Sequence, residues 1–182
     1  MAAPRGLATR PATARVRQSI FSRLQVRMAL EGARVLDLYA GSGSLGIEAL
    51  SRGAASAVFV DSSRAAASSI RRNLETLKLL KHSEVIIADV RYALDTLATR
   101  GAQFDLVFID APYADDRSAE ILARIDALNL LAPGGWSVVR QAGRAAEPHS
   151  AGLERSAGSL MGDHRITLYR RGSAAEHGSE TA

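Results

Sequence analysis

The stretch VLDLYAGSGSLGIEALSRGA, Val35 to Ala54, decides the fold. An apolar run ends at Tyr39. Gly41, Gly43 and Gly46 follow in GxGxxG spacing, and a helical pattern opens at Ser44. Glycine lets a backbone turn sharply and come close to a ligand, and the start of a helix favours an anion. Asp61 closes the next apolar run, SAVFVD, twenty residues after Gly41, where a carboxylate can accept from the two hydroxyls of a ribose. Strand, glycine loop, helix and acid together imply a nucleoside cofactor. They leave open whether it is a dinucleotide or S-adenosylmethionine.

Two further acids narrow that choice. Asp37 sits on the strand four residues before Gly41, where dinucleotide-binding strands are usually apolar. A cofactor with a charged amino-acid end can use a carboxylate there. Asp89 ends a third strand pattern and is placed for an adenine edge. The competing reading makes Asp37, Asp61 and Asp89 turn residues at strand ends. The candidate cofactor set is Asp37, Tyr39, Ala40, Gly41, Ser42, Gly43, Gly46, Asp61 and Asp89.

Outward from the loop, the pattern alternates. Strands are expected at 33–39, 56–61, 83–89, 104–110 and 134–140, and helices at 44–53, 64–80, 90–101 and 118–131. Continuous apolar strands between amphipathic helices imply a parallel sheet covered on both faces. After residue 140 the runs GLERSAG and HRITLYR have no helix between them and predict an antiparallel hairpin at the sheet edge. Val16, Ile20, Phe21 and Leu24 share one face of a helix that begins near Thr13.

The totals exclude several classes. A chain of 182 residues, 47% hydrophobic, suits one full-sized core. There is no apolar run of about 18 residues for a membrane span. Cysteine is absent, and the four histidines have no ligand spacing, so neither thiolate nor metal chemistry is expected. The N-terminus lacks an apolar signal core and only weakly resembles a transit peptide, so a cytoplasmic location is expected. Residues 1–34 carry a net +6 of the chain's +4, leaving −2 for the rest. A basic end on a near-neutral body fits either a phosphate-rich partner or a solvated face.

FDLVFIDAPY, Phe104 to Tyr113, is the last informative run. In open α/β sheets ligands bind beyond the C-terminal strand ends. The Asp110 carboxylate and the Ala111 carbonyl can accept hydrogen bonds, Pro112 restricts the turn, and Tyr113 offers a stacking face. Two acceptors and a ring suit the exocyclic amino group of a planar base; alone, the run could be a simple turn.

TRPATARVRQSIFSRL (9–24), the glycine-loop stretch, FVD (59–61), FDLVFIDAPY and GDHRITLY (162–169) resemble the bacterial small-subunit ribosomal RNA guanine-N2 methyltransferases. The resemblance runs from about Arg5 to Tyr169. It implies an α/β, Rossmann-like class I methyltransferase fold, a mostly parallel sheet with a C-terminal antiparallel hairpin. It also implies S-adenosylmethionine as cofactor, a guanine N2 in ribosomal RNA as acceptor, free or in an assembling small subunit, and catalytic roles for Asp110, Ala111, Pro112 and Tyr113. Arg10, Arg15 and Arg17 would meet RNA phosphates. The family clamp is Asp/Asn-Pro-Pro-Tyr, with Ala111 here in place of the first proline. The family also carries an N-terminal β segment where this chain has MAAPRGLA, and often an acid near Arg140. The expected organisation is a basic segment with a packing helix (1–30), a methyltransferase domain (31–171) and a disordered tail (172–182). Competing functions are a DNA adenine-N6 methyltransferase, for which no target-recognition domain is visible, an NAD-dependent oxidoreductase, at odds with Asp37 and DAPY, and a non-catalytic RNA-binding assembly factor.

Overall fold

The structure is a computed structural model that describes residues 14–112 and 117–173. The chain divides into two compact units, residues 1–93 and 94–182, with the boundary inside one helix.

The first unit opens with α1 (Ala14–Gln25), which buries Val16, Ile20, Phe21 and Leu24, the apolar face expected from their spacing. Each such side chain removed from water contributes about 1.5–3 kcal/mol. Charged groups of the segment 44–52 meet α1: Arg17 pairs with Glu48 at 3.3 Å, and the Arg52 guanidinium lies 4.8 Å over the buried Phe21 ring. Strands β1 (Arg34–Leu38), β2 (Ser56–Asp61) and β3 (Ser83–Ile87) follow, with helices α2 (Ser44–Ser51) and α3 (Arg64–Thr76) between them. The strands are parallel in the order β3-β2-β1, with Asp37 opposite Phe59 and Asp61 opposite Ile87. Helix α3 is started by Ser63, whose hydroxyl accepts from the Ala66 N–H, and it buries Ile70 and Leu74 completely. It ends earlier than expected. Lys78 takes a left-handed φ of 59°, and a short 3₁₀ turn, Leu80–His82, leads into β3.

The second unit contains most of α4 (Val90–Thr99), then β4 (Phe104–Ile109), α5 (Ser118–Ala127), β5 (Leu131–Ala142), β6 (Leu153–Met161) and β7 (His164–Arg171). Strands β4 and β5 are parallel, whereas β5–β7 and β7–β6 are antiparallel. The hairpin therefore folds its last strand inward, and β6 lies on the far side of β7 from β5. Helix α5 stops at Ala127, short of the expected 131, because Asn129 turns left-handed at φ 53°. The segment expected to precede β5 is part of it. Phe104 faces Leu131, but Leu106 faces Trp136, so Ala132–Gly135 bulge out of the ladder, with Gly134 at φ 75°. The core of the unit is made by Leu106, Phe108, Ile121, Ile125, Val139, Ile166 and Leu168, all fully buried. Loop 143–152 is tied down by polar links. Ser150 Oγ and the Gly152 N–H donate to Asp126 at 2.6 and 2.8 Å, and Tyr169 donates to the Pro148 carbonyl at 2.6 Å.

The α/β architecture, the mostly parallel sheet and the C-terminal antiparallel hairpin agree with the sequence reading. No described helix is long and apolar enough to cross a membrane. The tail expected to be disordered lies, from residue 174, outside the described residues.

Candidate functional site

Two groups of residues carry the candidate chemistry, one in each unit. In the first unit the chain leaves β1 through Tyr39, a non-glycine residue at φ 57°, and continues through Gly41 at 56° and Gly43 at 74°. Left-handed backbone costs an ordinary residue about 1–2 kcal/mol, so glycine relieves two of these three positions. Beyond this, the glycines differ in what surrounds them. A Cβ on Gly41 would meet nothing nearer than the Tyr39 carbonyl at 3.9 Å. On Gly43 it would press on Ile70, Phe59 and Ile47 at 3.2–3.3 Å, and on Gly46 it would overlap the Phe59 ring. Gly43 and Gly46 thus let the loop and α2 pack tightly, while Gly41 presents bare backbone to open space.

The acids hold this loop through main-chain donors. Asp37, 1% exposed, accepts the Gly46 N–H at 2.9 Å. That N–H belongs to the first turn of α2, which has no partner within the helix, and Gly43 has no side chain to cap it. A carboxylate from β1 therefore caps the helix and meets the positive end of its dipole. Asp61 accepts from the Gly41 N–H at 2.8 Å through one oxygen and from the Ser63 N–H at 2.9 Å through the other. Each oxygen keeps a second lone pair, and Asp61 is half-buried, so the side chain suits a vicinal diol. Asp89 is exposed and accepts from both the N–H and the Nε of Arg91, at 3.0 and 3.1 Å, at the start of α4. Asn73, which the sequence reading missed, reaches from α3 to donate to the Ser42 carbonyl at 3.0 Å. The open backbone at Gly41 and the partly free Asp61 fit a nucleoside cofactor with a ribose.

In the second unit Asp110 follows β4 directly. Both of its oxygens are held by one residue: Arg140 Nε donates to Oδ1 at 2.6 Å and Nη2 to Oδ2 at 2.7 Å. The side chains are 16% and 8% exposed. Burial pushes the Asp110 carboxyl above the ordinary aspartate range, against the pull of Arg140 and, more weakly, of His164. Ala111 is buried and Pro112 exposed. Arg140 is the second residue missed; no local motif joins two positions thirty apart. Tyr113 and Arg10 lie outside the described residues. Of the other candidate phosphate contacts, Arg15 is exposed and Arg17 is engaged with Glu48.

The family model described as "Conserved hypothetical protein 95" matches residues 1–170. The Bacillus subtilis protein YlbH is 38% identical over 167 residues, which cover 91% of this chain and 90% of that one. Ribosomal RNA small subunit methyltransferase D of Escherichia coli is 37% identical over 127 residues, 70% of this chain and 58% of its own length. Among solved structures, the Escherichia coli protein yhhF superposes with a TM-score of 0.81 at 31% identity, covering 95% of this chain and 92% of that one. With these likenesses, the architecture is the Rossmann-like class I methyltransferase fold.

Proposed function

The chain belongs to the conserved hypothetical protein 95 family, that of the small-subunit rRNA methyltransferase D proteins, and from that premise we propose that it is an S-adenosylmethionine-dependent rRNA methyltransferase acting on a guanine N2. The observation that carries the reading is Asp110, a half-buried carboxylate at the end of β4 with the Ala111 carbonyl next to it. Two adjacent acceptors match the two hydrogens of an exocyclic amino group. Adenine carries such an amino group too; guanine is preferred because the sequence resembles the small-subunit rRNA guanine-N2 methyltransferases.

When bound, S-adenosylmethionine would supply a methyl group on its sulfonium, with S-adenosylhomocysteine as the leaving group. Asp61 accepts from the ribose hydroxyls with the lone pairs that Gly41 and Ser63 leave free. Gly41 gives the ligand close approach to the backbone, and Asp37 fixes the loop by capping α2. Asp89, at the end of β3, borders the adenine. Asp110 and the Ala111 carbonyl hold the amino hydrogens, which orients the nitrogen lone pair. Positive charge develops on that nitrogen, and the carboxylate stabilises it before the surplus proton passes to water. Tyr113, next in the chain after Pro112, gives the base a stacking face once it leaves its own stack. Arg15, with Arg10 and Arg17, meets phosphates.

The test is methylation of small-subunit rRNA, free and in isolated particles, with methyl-labelled S-adenosylmethionine, followed by nuclease digestion and mass spectrometry. N2-methylguanosine at one site supports the reading. N6-methyladenosine, or no transfer to either substrate, overturns it.

A further inference from the structure

We infer that Arg140 is a positioning residue, one that fixes Asp110 and leaves it able to grip the acceptor's amino group alone. The inference rests on the function proposed above. Its basis is the fork itself. Nε and Nη2 meet Oδ1 and Oδ2 at 2.6 and 2.7 Å, a side-on pair that engages both carboxylate oxygens at once. Such a pair consumes the two parallel lone pairs on the inner side of the carboxylate. What remains is one outer lone pair on each oxygen, and these diverge.

That geometry constrains recognition. The N1–H and N2–H of guanine are parallel, and a free carboxylate would take both with its inner lone pairs. Behind the Arg140 fork, Asp110 can offer a base only one acceptor. The second amino hydrogen then falls to the Ala111 carbonyl, and N1–H is left outside the clamp. The amino nitrogen is thus held by both of its hydrogens, which is what aims its lone pair.

Burial indicates that the pair is built in. Arg140 lies within β5, is 7% exposed, and stands opposite Ile166 of β7. A guanidinium in that setting is tolerated only when paired. The titratable groups facing Asp110 are Arg140 from β5 and His164 from β7. Lysine would keep the charge and lose the fork.

Arg140→Met keeps side-chain bulk and removes the fork. Its kcat on rRNA should fall by about 100-fold, a loss typical of a misplaced reacting group, with the S-adenosylmethionine Kd unchanged. The acid limb of its kcat–pH profile should move to higher pH, because a buried carboxylate has lost its counter-charge. Millimolar guanidinium should restore part of the rate where equal NaCl does not. Arg140→Lys should keep the parental acid limb but recover little kcat, and it serves if the Met variant does not fold. An unchanged kcat in either variant overturns the inference. So does a loss of equal size at every pH with no response to guanidinium, the mark of a purely structural role. Carboxyl carbon NMR of Asp110 supplies a readout without turnover: its titration should shift upward in Arg140→Met, and an unmoved titration overturns the inference. A parent protein inactive on rRNA would instead defeat the function proposed above, and the NMR titration would still decide whether Arg140 governs Asp110.

Discussion

Both candidate regions hang on aspartates at strand ends, yet they are held in opposite ways. In the first unit the partners of Asp37 and Asp61 are main-chain N–H groups of Gly46, Gly41 and Ser63. In the second unit the partner of Asp110 is the side chain of Arg140, thirty residues away. A main-chain donor survives most substitutions at its own residue, so the glycine loop should tolerate changes of chemistry and resist added volume. A side-chain fork is lost by a single truncation. The second region should therefore be fragile where the first is robust, and the reverse.

The sharpest way to break this contrast is Asp110→Ala. Turnover should fall by at least ~100-fold, because a group acting on the transition state is gone while cofactor binding is not. The sequence alone suggests an unchanged melting temperature, but the structure changes that expectation. The truncation strands the buried Arg140 guanidinium, and breaking such a pair costs about 3–5 kcal/mol. Asp110→Asn, which keeps an acceptor and the shape, should lose activity with a smaller drop in stability. Thermal melts beside single-turnover rates read both effects. If Asp110→Ala melts and turns over like the parent, the fork holds nothing of consequence.

Next in size comes Gly46→Ala. The new methyl would overlap the Phe59 ring and come within 3.2 Å of Asp37 Oδ2, so overpacking should cost about 1–3 kcal/mol. Gly41→Ala meets only open space, and its cost should be the left-handed backbone alone, about 1–2 kcal/mol. Denaturant midpoints separate the two. Cofactor affinity should fall in both, in Gly41→Ala because the methyl occupies the ligand's side of the loop. Equal midpoints for the two variants would show that the packing against Phe59 yields.

Asp61→Ala tests the same region with the opposite kind of change. It removes chemistry without adding volume. Affinity for S-adenosylmethionine should weaken by about 1–3 kcal/mol, the range for an unpaired buried polar group. The fold should hold, since the Gly41 and Ser63 N–H groups lie near the surface and can turn to water. Calorimetry with parental affinity in a folded variant would remove Asp61 from the ribose.

These expectations also explain what the sequence could show. The glycine loop was legible because its contacts are local or motif-spaced: nine residues from Asp37 to Gly46 and twenty from Gly41 to Asp61. Asp37 marks the limit of that legibility. A strand acid aimed at a ligand and one that caps the next helix leave the same pattern, and the bond to Gly46 at 1% exposure adds the capping role. Helix ends were misread where ordinary residues adopt glycine's conformation, at Lys78 and Asn129. The expected strand 134–140 missed the start of β5 at Leu131, because nothing local marks Ala132–Gly135 as a bulge in a strand already paired to β4. Arg140 and Asn73 were not legible at all. Each acts thirty or thirty-one residues from its partner, on a strand or helix chosen by the topology.

Tyr169 gives the smallest and most local test of the contrast. It belongs to the second unit and, like Arg140, works through its side chain, donating to the Pro148 carbonyl at 2.6 Å while 1% exposed. Tyr169→Phe keeps the ring and its packing and leaves that carbonyl without this donor, so it should cost about 1 kcal/mol. The loss should depend on pH. Burial, reinforced by the nearby Glu147 charge, pushes the phenol from its ordinary 10.0 up to about 12. Between those values the unfolded chain has released the proton and the folded chain has kept it, so stability falls as pH rises. The tyrosine's contribution is thus complete below pH 10 and is lost as pH climbs through about 12. Phenylalanine carries no proton to lose. Parent and variant should therefore differ most at neutral pH, and their urea midpoints should converge in strong alkali. If the gap stayed constant to pH 12, the phenol would be titrating alike in both states, and loop 143–152 would owe its order to the Asp126 links instead.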